Sequence, residues 1–176
     1  MKITITGVSG SGISTVSKLL AEKLNYKHYS AGNMRREMAK QRGVDIHGLN
    51  KIGMNDSSTD NIVDFEMERI GKEQDNFVFD AKIGYHFIPD SYKIFLTGDL
   101  NVRAKRVFDA RRGSEKYETI NQAKEMIEER KNNDYERYLK HYNFKLFEDV
   151  KFDLIVDTTN ILPEQVVEKI LENINK

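Results

Sequence analysis

The chain of 176 residues has no cysteine and no tryptophan, and only two prolines. Without cysteine there is no disulfide framework, no thiol nucleophile and no thiolate zinc site. No apolar run approaches the ~20 residues that a membrane-spanning helix needs. An excess of one charge is missing too: 28 Lys and Arg balance 28 Asp and Glu. That balance argues against a binder of polymeric nucleic acid or of a membrane surface, whose footprint is basic. The opening MKITITGVSG lacks a basic stretch followed by an apolar one, so no secretory signal is expected and the cytoplasm is the expected compartment. What is present is 39% hydrophobic and 32% charged residues. Apolar runs recur along the whole length, which suits one globular domain with a sizeable core.

Those runs predict alternating strands and helices. Ile3 and Ile5 alternate with Thr4 and Thr6 in a β-branched strand that stops at Gly7. Val16, Leu19, Leu20 and Leu24 recur at helical spacing, predicting a helix from about Ser14 to Leu24. A short strand follows at Tyr26–Ser30, then helices over Ala31–Gln41, Asp45–Ile52 and Asp60–Lys72, the last with Ser57, Ser58 and Thr59 as N-cap hydroxyls. Phe77–Phe79 and Lys93–Thr97 read as strands and Asn101–Ala110 as a helix. Thr119 and Gln122 have the form of a capping box before a long charged helix running to about Phe147. Asp153–Asp157 is a last strand, and Pro163 opens a last helix. The alternation predicts an α/β fold with a parallel sheet covered on both faces.

The densest chemical signal lies between the first strand and the first helix: Gly7, Val8, Ser9, Gly10, Ser11, Gly12, Ile13, Ser14 and Thr15. Gly7, Gly12 and Ser14 satisfy the phosphate-loop pattern, but its lysine position holds Ile13. Glycines let the backbone curl so that successive N–H groups meet one phosphate, and the helix start adds its positive end. Ser14 would place a hydroxyl on Mg²⁺. Without the lysine, the transition state loses a cation. Either another cation replaces it, or the protein is a slow or non-catalytic nucleotide binder.

Cations are available elsewhere. Arg103, Lys105, Arg106, Arg111, Arg112 and Lys116 face only Asp109 and Glu115 within one stretch. Arg103 and Arg106 share a helix face, as do Arg130 and Arg137 seven positions apart. Each arginine taken singly fits a solvated helix face equally well; the cluster points to a phosphate. Arg36 and Lys82 follow strands, where open α/β sheets bind ligands. Asp80 ends a strand and suits either a magnesium acid or a turn. His28, His47, His86 and His141 lack ligand spacing, and Tyr135, Tyr138 and Tyr142 at helical spacing suit packing.

The order of these motifs resembles the archaeal-type cytidylate kinases, a branch of the nucleoside monophosphate kinases, over almost the whole length. Ile3–Gly12 resembles that family's phosphate loop, and some members carry Thr where this chain has Ile13. His28–Gly32 with Arg36–Ala39 resembles the strand leading into the monophosphate-binding helix, where an Arg holds the acceptor phosphate. Asp60 and Asp64 match acidic positions, and Phe79–Lys82 stands where the family has an acid-Gly-Arg motif. Here Ala81 replaces the Gly and Lys82 the Arg, turning a forked donor into a point charge. Val102–Arg106, Glu129–Arg130 and Arg137–Tyr138 resemble the two sides of the lid, and Asp153–Thr158 with Pro163–Val167 the C-terminal strand and helix.

The resemblance implies a five-stranded parallel P-loop core at 1–30, 73–100 and 148–176. A monophosphate-binding insertion would occupy about 31–72 and a lid about 101–147. It implies in-line transfer of the γ-phosphoryl of ATP, with Mg²⁺, to CMP, dCMP or UMP. Arg103, Arg106, Arg130 and Arg137 would be catalytic, residues 7–15 would hold ATP, and Arg36, Asp64 and Lys82 would hold the acceptor. Ser14 and Asp80 would hold the metal. Small molecules would be the partners of a monomer, with no nucleic-acid polymer and no membrane. The alternatives are a catalytically weakened nucleotide binder with a regulatory role, or a kinase of another small acceptor.

Overall fold

The computed structural model describes residues 1–55, 58–110, 118–148 and 150–174. Arg111, Arg112, Lys116 and Ser57 lie outside them. Five strands, β1 (Lys2–Gly7), β2 (Lys27–Ser30), β3 (Phe77–Asp80), β4 (Tyr92–Thr97) and β5 (Leu154–Asp157), form one parallel sheet in the order β2-β3-β1-β4-β5. β1 is central. Ile3 and Ile5 are wholly buried, and the alternating Thr4 and Thr6 are buried too, because both sheet faces are covered. The two threonines satisfy their hydroxyls locally, Thr4 with Ser91 and Thr6 by donating to the Lys82 carbonyl.

One face carries α1 (Ile13–Leu24) and α8 (Pro163–Ile174), whose Val16, Leu20, Val166 and Ile170 pack on Ile5, Ile94 and Leu96. On the other face α4 (Ser58–Glu73) lays Val63, Met67 and Ile70 over Phe77 and Phe79. β2 leads into α2 (Ala31–Gln41) and α3 (Ile46–Asn55), a single turn α5 (Gly84–Phe87) follows β3, and α6 (Leu100–Ala110) and α7 (Ile120–Tyr142) lie between β4 and β5. Among the described residues no helix is long and apolar enough to cross a membrane.

The capping box forms as the spacing predicts: Gln122 N–H donates to the Thr119 hydroxyl and the Gln122 side chain accepts from Thr119 N–H. Three boundaries differ from expectation by two residues or more, the first being the end of α3 at Asn55, past Ile52. α4 starts at Ser58, so Ser58 and Thr59 lie inside its first turn and not before it. α7 stops at Tyr142, not near Phe147, where Asn143 adopts φ 54° and its N–H donates to the Leu139 carbonyl. The cause is tertiary. Phe144, Leu146, Phe147 and Phe152 fold back into an aromatic cluster with Tyr85 and Tyr138, and Phe147 and Phe152 pack on Phe95 of β4; a continuing helix would carry them away.

The chain leaves β1 toward β2 and leaves β3 toward β4. Connections of these neighbouring strands therefore diverge, which opens a crevice at their carboxyl ends.

Candidate active site

A cavity of about 670 Å³ opens at that crevice, a size suited to a nucleotide-sized ligand. Its floor is the loop after β1. Gly10 has φ 84°, and a Cβ there would lie 2.7 Å from the Arg103 carbonyl, so only glycine lets the loop lie this close to α6. Ser11 is buried, and both its N–H and its hydroxyl turn back to the Val8 carbonyl. Gly12 is the N-cap of α1, with no side-chain cap and no acid in the first turn. The amides and positive end of α1 are therefore left for a ligand.

Of the nine loop residues, Ser9, Gly10, Gly12, Ile13 and Ser14 line the cavity. Gly7 and Val8 join the loop to the sheet, Val8 N–H donating to the Leu96 carbonyl, and Thr15 lies exposed in a separate shallow depression. Ile13 is half-buried and packs against the core that α1 covers.

Five of the expected cations reach the cavity: Arg36, Lys82, Arg106, Arg130 and Arg137. Arg36 is exposed and tethered to the Asn33 side chain at 2.6 Å. Arg106 grips Thr158 through its hydroxyl and carbonyl, at 3.0 and 2.6 Å. Arg130 is exposed and makes no ion pair among the described residues. Arg137 is buried between Asp60 at 3.2 Å and Asp134 at 3.3 Å, stacked on the Tyr138 ring. Burial alone would lower its pKa; Tyr138, Asp60 and Asp134 outweigh that and hold it charged.

Arg103 departs from expectation. It is buried behind the loop, its Nε donating to the Gly98 carbonyl and its Nη1 to the Ser9 carbonyl at 2.8 and 2.9 Å, and it does not line the cavity. α6 begins directly after β4, so its first turn faces the back of the loop and only the next turn, at Arg106, reaches the front.

Lys82 Nζ lies 3.4 Å from the Asp134 carboxylate and 3.5 Å from the Gly7 carbonyl. Burial pushes its pKa down, opposed by Asp134 and reinforced by Arg130 and Arg137. Asp80 lines the cavity and accepts from the Ser30 hydroxyl at 2.8 Å, with His28 Nε2 at 3.1 Å on its other oxygen.

Deeper in, Asp64 accepts a hydrogen bond from the Tyr142 hydroxyl. Burial, with some repulsion from Asp60, raises its pKa from the ordinary 3.8 to about 6, against the lowering effects of Tyr142, Arg35 and Arg137. The folded protein therefore binds this proton more tightly than the unfolded chain. The stability contributed is complete below pH 3.8 and lost as pH rises through about 6. Because Tyr142 stabilises the carboxylate, Tyr142→Phe is expected to move the Asp64 midpoint above 6 in a ¹³C-carboxyl NMR titration, with Asp64→Asn identifying the signal. An unchanged or lower midpoint would contradict this pairing.

Sequence reasoning missed three partners of this network. Arg35, next to the expected Arg36, pairs with Asp60. Asp134 bridges Lys82 and Arg137, and Tyr138 supports Arg137. Arg130, Asp134, Arg137 and Tyr138 fall at i, i+4, i+7 and i+8, one helical face, which was the available signal. Asp60 Oδ2 is buried with no hydrogen-bond partner among the described residues.

A parallel sheet with a glycine-rich loop between β1 and an uncapped helix, facing a cationic cavity, defines a P-loop kinase fold. Comparison with known proteins narrows it. The profile of the cytidylate kinase-like family matches residues 2–160. A cytidylate kinase of Sulfolobus acidocaldarius is 37% identical, over 100% of this chain and 95% of its own length. One from Sulfurisphaera tokodaii is 33% identical, over 98% and 93%. A shikimate kinase structure from Bacteroides thetaiotaomicron superposes with a TM-score of 0.64 at 14% identity, covering 100% of this chain and 99% of that one, a likeness of fold alone. The chain belongs to the cytidylate kinase-like family.

Proposed function

We propose that the protein transfers the γ-phosphoryl group of ATP to CMP in the cytoplasm, as a monomer, with dCMP and UMP as further acceptors. The observation that carries this reading is the uncapped start of α1 in a cavity walled by Arg36, Lys82, Arg106, Arg130 and Arg137. A site built to neutralise several phosphate charges at once suits in-line transfer between two phosphates, with no covalent intermediate. Kinship with cytidylate kinases supports ATP as donor and CMP as acceptor.

In this reading the loop amides hold the donor phosphates. Arg36 and the segment 31–72 hold the acceptor. The segment 101–147 acts as a lid that brings Arg106, Arg130 and Arg137 onto the transferring group and excludes water. Arg137 is fixed by its two carboxylates, whereas Arg130 is free to follow the charge as it develops. Ser14, whose hydroxyl makes no hydrogen bond among the described residues, and Asp80 both line the cavity and offer hard oxygens, so they fit Mg²⁺. When bound, the ion would neutralise part of the triphosphate charge.

A coupled assay with MgATP and a panel of CMP, dCMP, UMP, AMP and GMP tests the reading. CMP is expected to show the highest kcat/KM, at least about tenfold above the purine monophosphates, a margin within reach of one or two base contacts. Binding of MgATP with turnover on no acceptor would leave a nucleotide-binding protein and overturn it.

A further inference from the structure

Position 13 is where a phosphate loop carries its lysine, and here it holds an isoleucine packed on the core. Building on the kinase reading above, we infer that Lys82 supplies this missing cation to the donor phosphates, from the end of the neighbouring strand.

Strand register puts it there. β1 and β3 pair in parallel with Ile5 opposite Asp80, so two residues further on Lys82 stands beside Gly7, the first glycine of the loop. The pairing continues past the strand end, where Ala81 N–H donates to the Ile5 carbonyl and the Thr6 hydroxyl to the Lys82 carbonyl at 2.8 Å. The Lys82 backbone is thus fixed to the strand that feeds the loop, and its ammonium ends 3.5 Å from the Gly7 carbonyl.

Three groups hold that ammonium. One is the Gly7 carbonyl; another is Asp134, 3.4 Å away on α7. The third is the Phe147 ring, whose centroid lies 5.7 Å off. Phe147 has φ 69°, a conformation that bulky residues rarely adopt, and it is held there by Phe95 and Tyr85. Both polar contacts of Lys82 are long, so the ammonium keeps bonding capacity for a phosphate oxygen.

The other cations are placed for different work. Arg103 is spent on the carbonyls of Gly98 and Ser9 behind the loop. Arg106 is held by Thr158, and Arg130 and Arg137 come from α7, the helix whose Asp134 pairs with Lys82. Among the described cations lining the cavity, only Lys82 rises from the sheet beside the loop itself. This differs from a role in acceptor binding, which the family's acid-Gly-Arg motif implies for the same position.

Calorimetry and kinetics on Lys82→Met, Lys82→Arg, Ile13→Lys and the Ile13→Lys/Lys82→Met double variant test it. Lys82→Met is expected to weaken MgATP binding about tenfold to a hundredfold, the worth of one charged hydrogen bond, while CMP binds within about twofold of wild type. Lys82→Arg should retain most of the MgATP affinity, which separates loss of charge from loss of fold. Ile13→Lys should restore MgATP affinity and kcat at least tenfold in the Lys82→Met background, with a clearly smaller gain in the wild-type background. The inference is overturned if Lys82→Met weakens CMP instead of MgATP, or if Ile13→Lys acts by the same factor in both backgrounds. Wild-type protein that binds MgATP but phosphorylates no acceptor would sink the kinase reading alone, because the MgATP binding arms still decide the role of Lys82. Failure to bind MgATP would overturn both.

Discussion

Arg130→Met is expected to lower kcat on the order of a thousandfold, the scale at which a cation on the transferring phosphoryl group acts. Its Tm should stay within about 2 °C of wild type, as for an exposed residue with few partners. The contrast follows from its setting. Arg130 lines the cavity, is exposed, and has no ion pair among the described residues, so folding gains little from it. Arg137, two turns further along the same face of α7, is buried on Asp60 and Asp134, so its loss would mix stability with catalysis. A matched fall in kcat and kcat/KM, with unchanged MgATP affinity, marks an interaction made in the transition state. A fall in affinity equal to the fall in kcat/KM would place Arg130 in ground-state binding instead.

Gly7→Ala acts through the opposite route. A Cβ at Gly7 would lie 2.1 Å from the Leu96 carbonyl oxygen, far inside contact distance. Gly7 pairs with Leu96 in the ladder between β1 and β4, and Val8 N–H donates to the same carbonyl to seat the loop. Neither strand has room to give way, since Ile5, Ile94 and Leu96 are wholly buried. We expect a loss of about 3 kcal/mol or more, a fall in Tm near 10 °C by calorimetry, and loss of MgATP binding as the loop leaves its seat. A variant that melts with wild type and binds MgATP normally would show that the loop does not depend on this seam.

The order of elements was legible because each carries a local pattern: alternating Ile and Thr in β1, the glycine loop, and Thr119 with Gln122 at the start of α7. The end of α7 was not legible. It is set by Phe147 and Phe152 meeting Phe95 of β4, a contact between distant parts of the chain. The arginines split for a similar reason. Arg103 and Arg106 look equivalent at three-residue spacing, yet α6 turns one behind the loop and the other into the cavity. Arg35 and Asp134 were passed over because their charges acquire meaning only through Asp60 and Lys82, and Asp60 meets Arg137 across 77 positions. The register that sets Lys82 beside Gly7 is likewise a property of paired strands, invisible in either strand alone. The order of motifs along the chain pointed to the family; the geometry supplied which cation stands where.

The most direct measurement of the central claim is label transfer from [γ-³²P]ATP to CMP by the purified protein, resolved by anion-exchange chromatography, with Arg130→Met run alongside. Label is expected in CDP, dependent on Mg²⁺, and on the order of a thousandfold slower in the variant. Label appearing only as inorganic phosphate, or at equal rates in both proteins, would contradict the account.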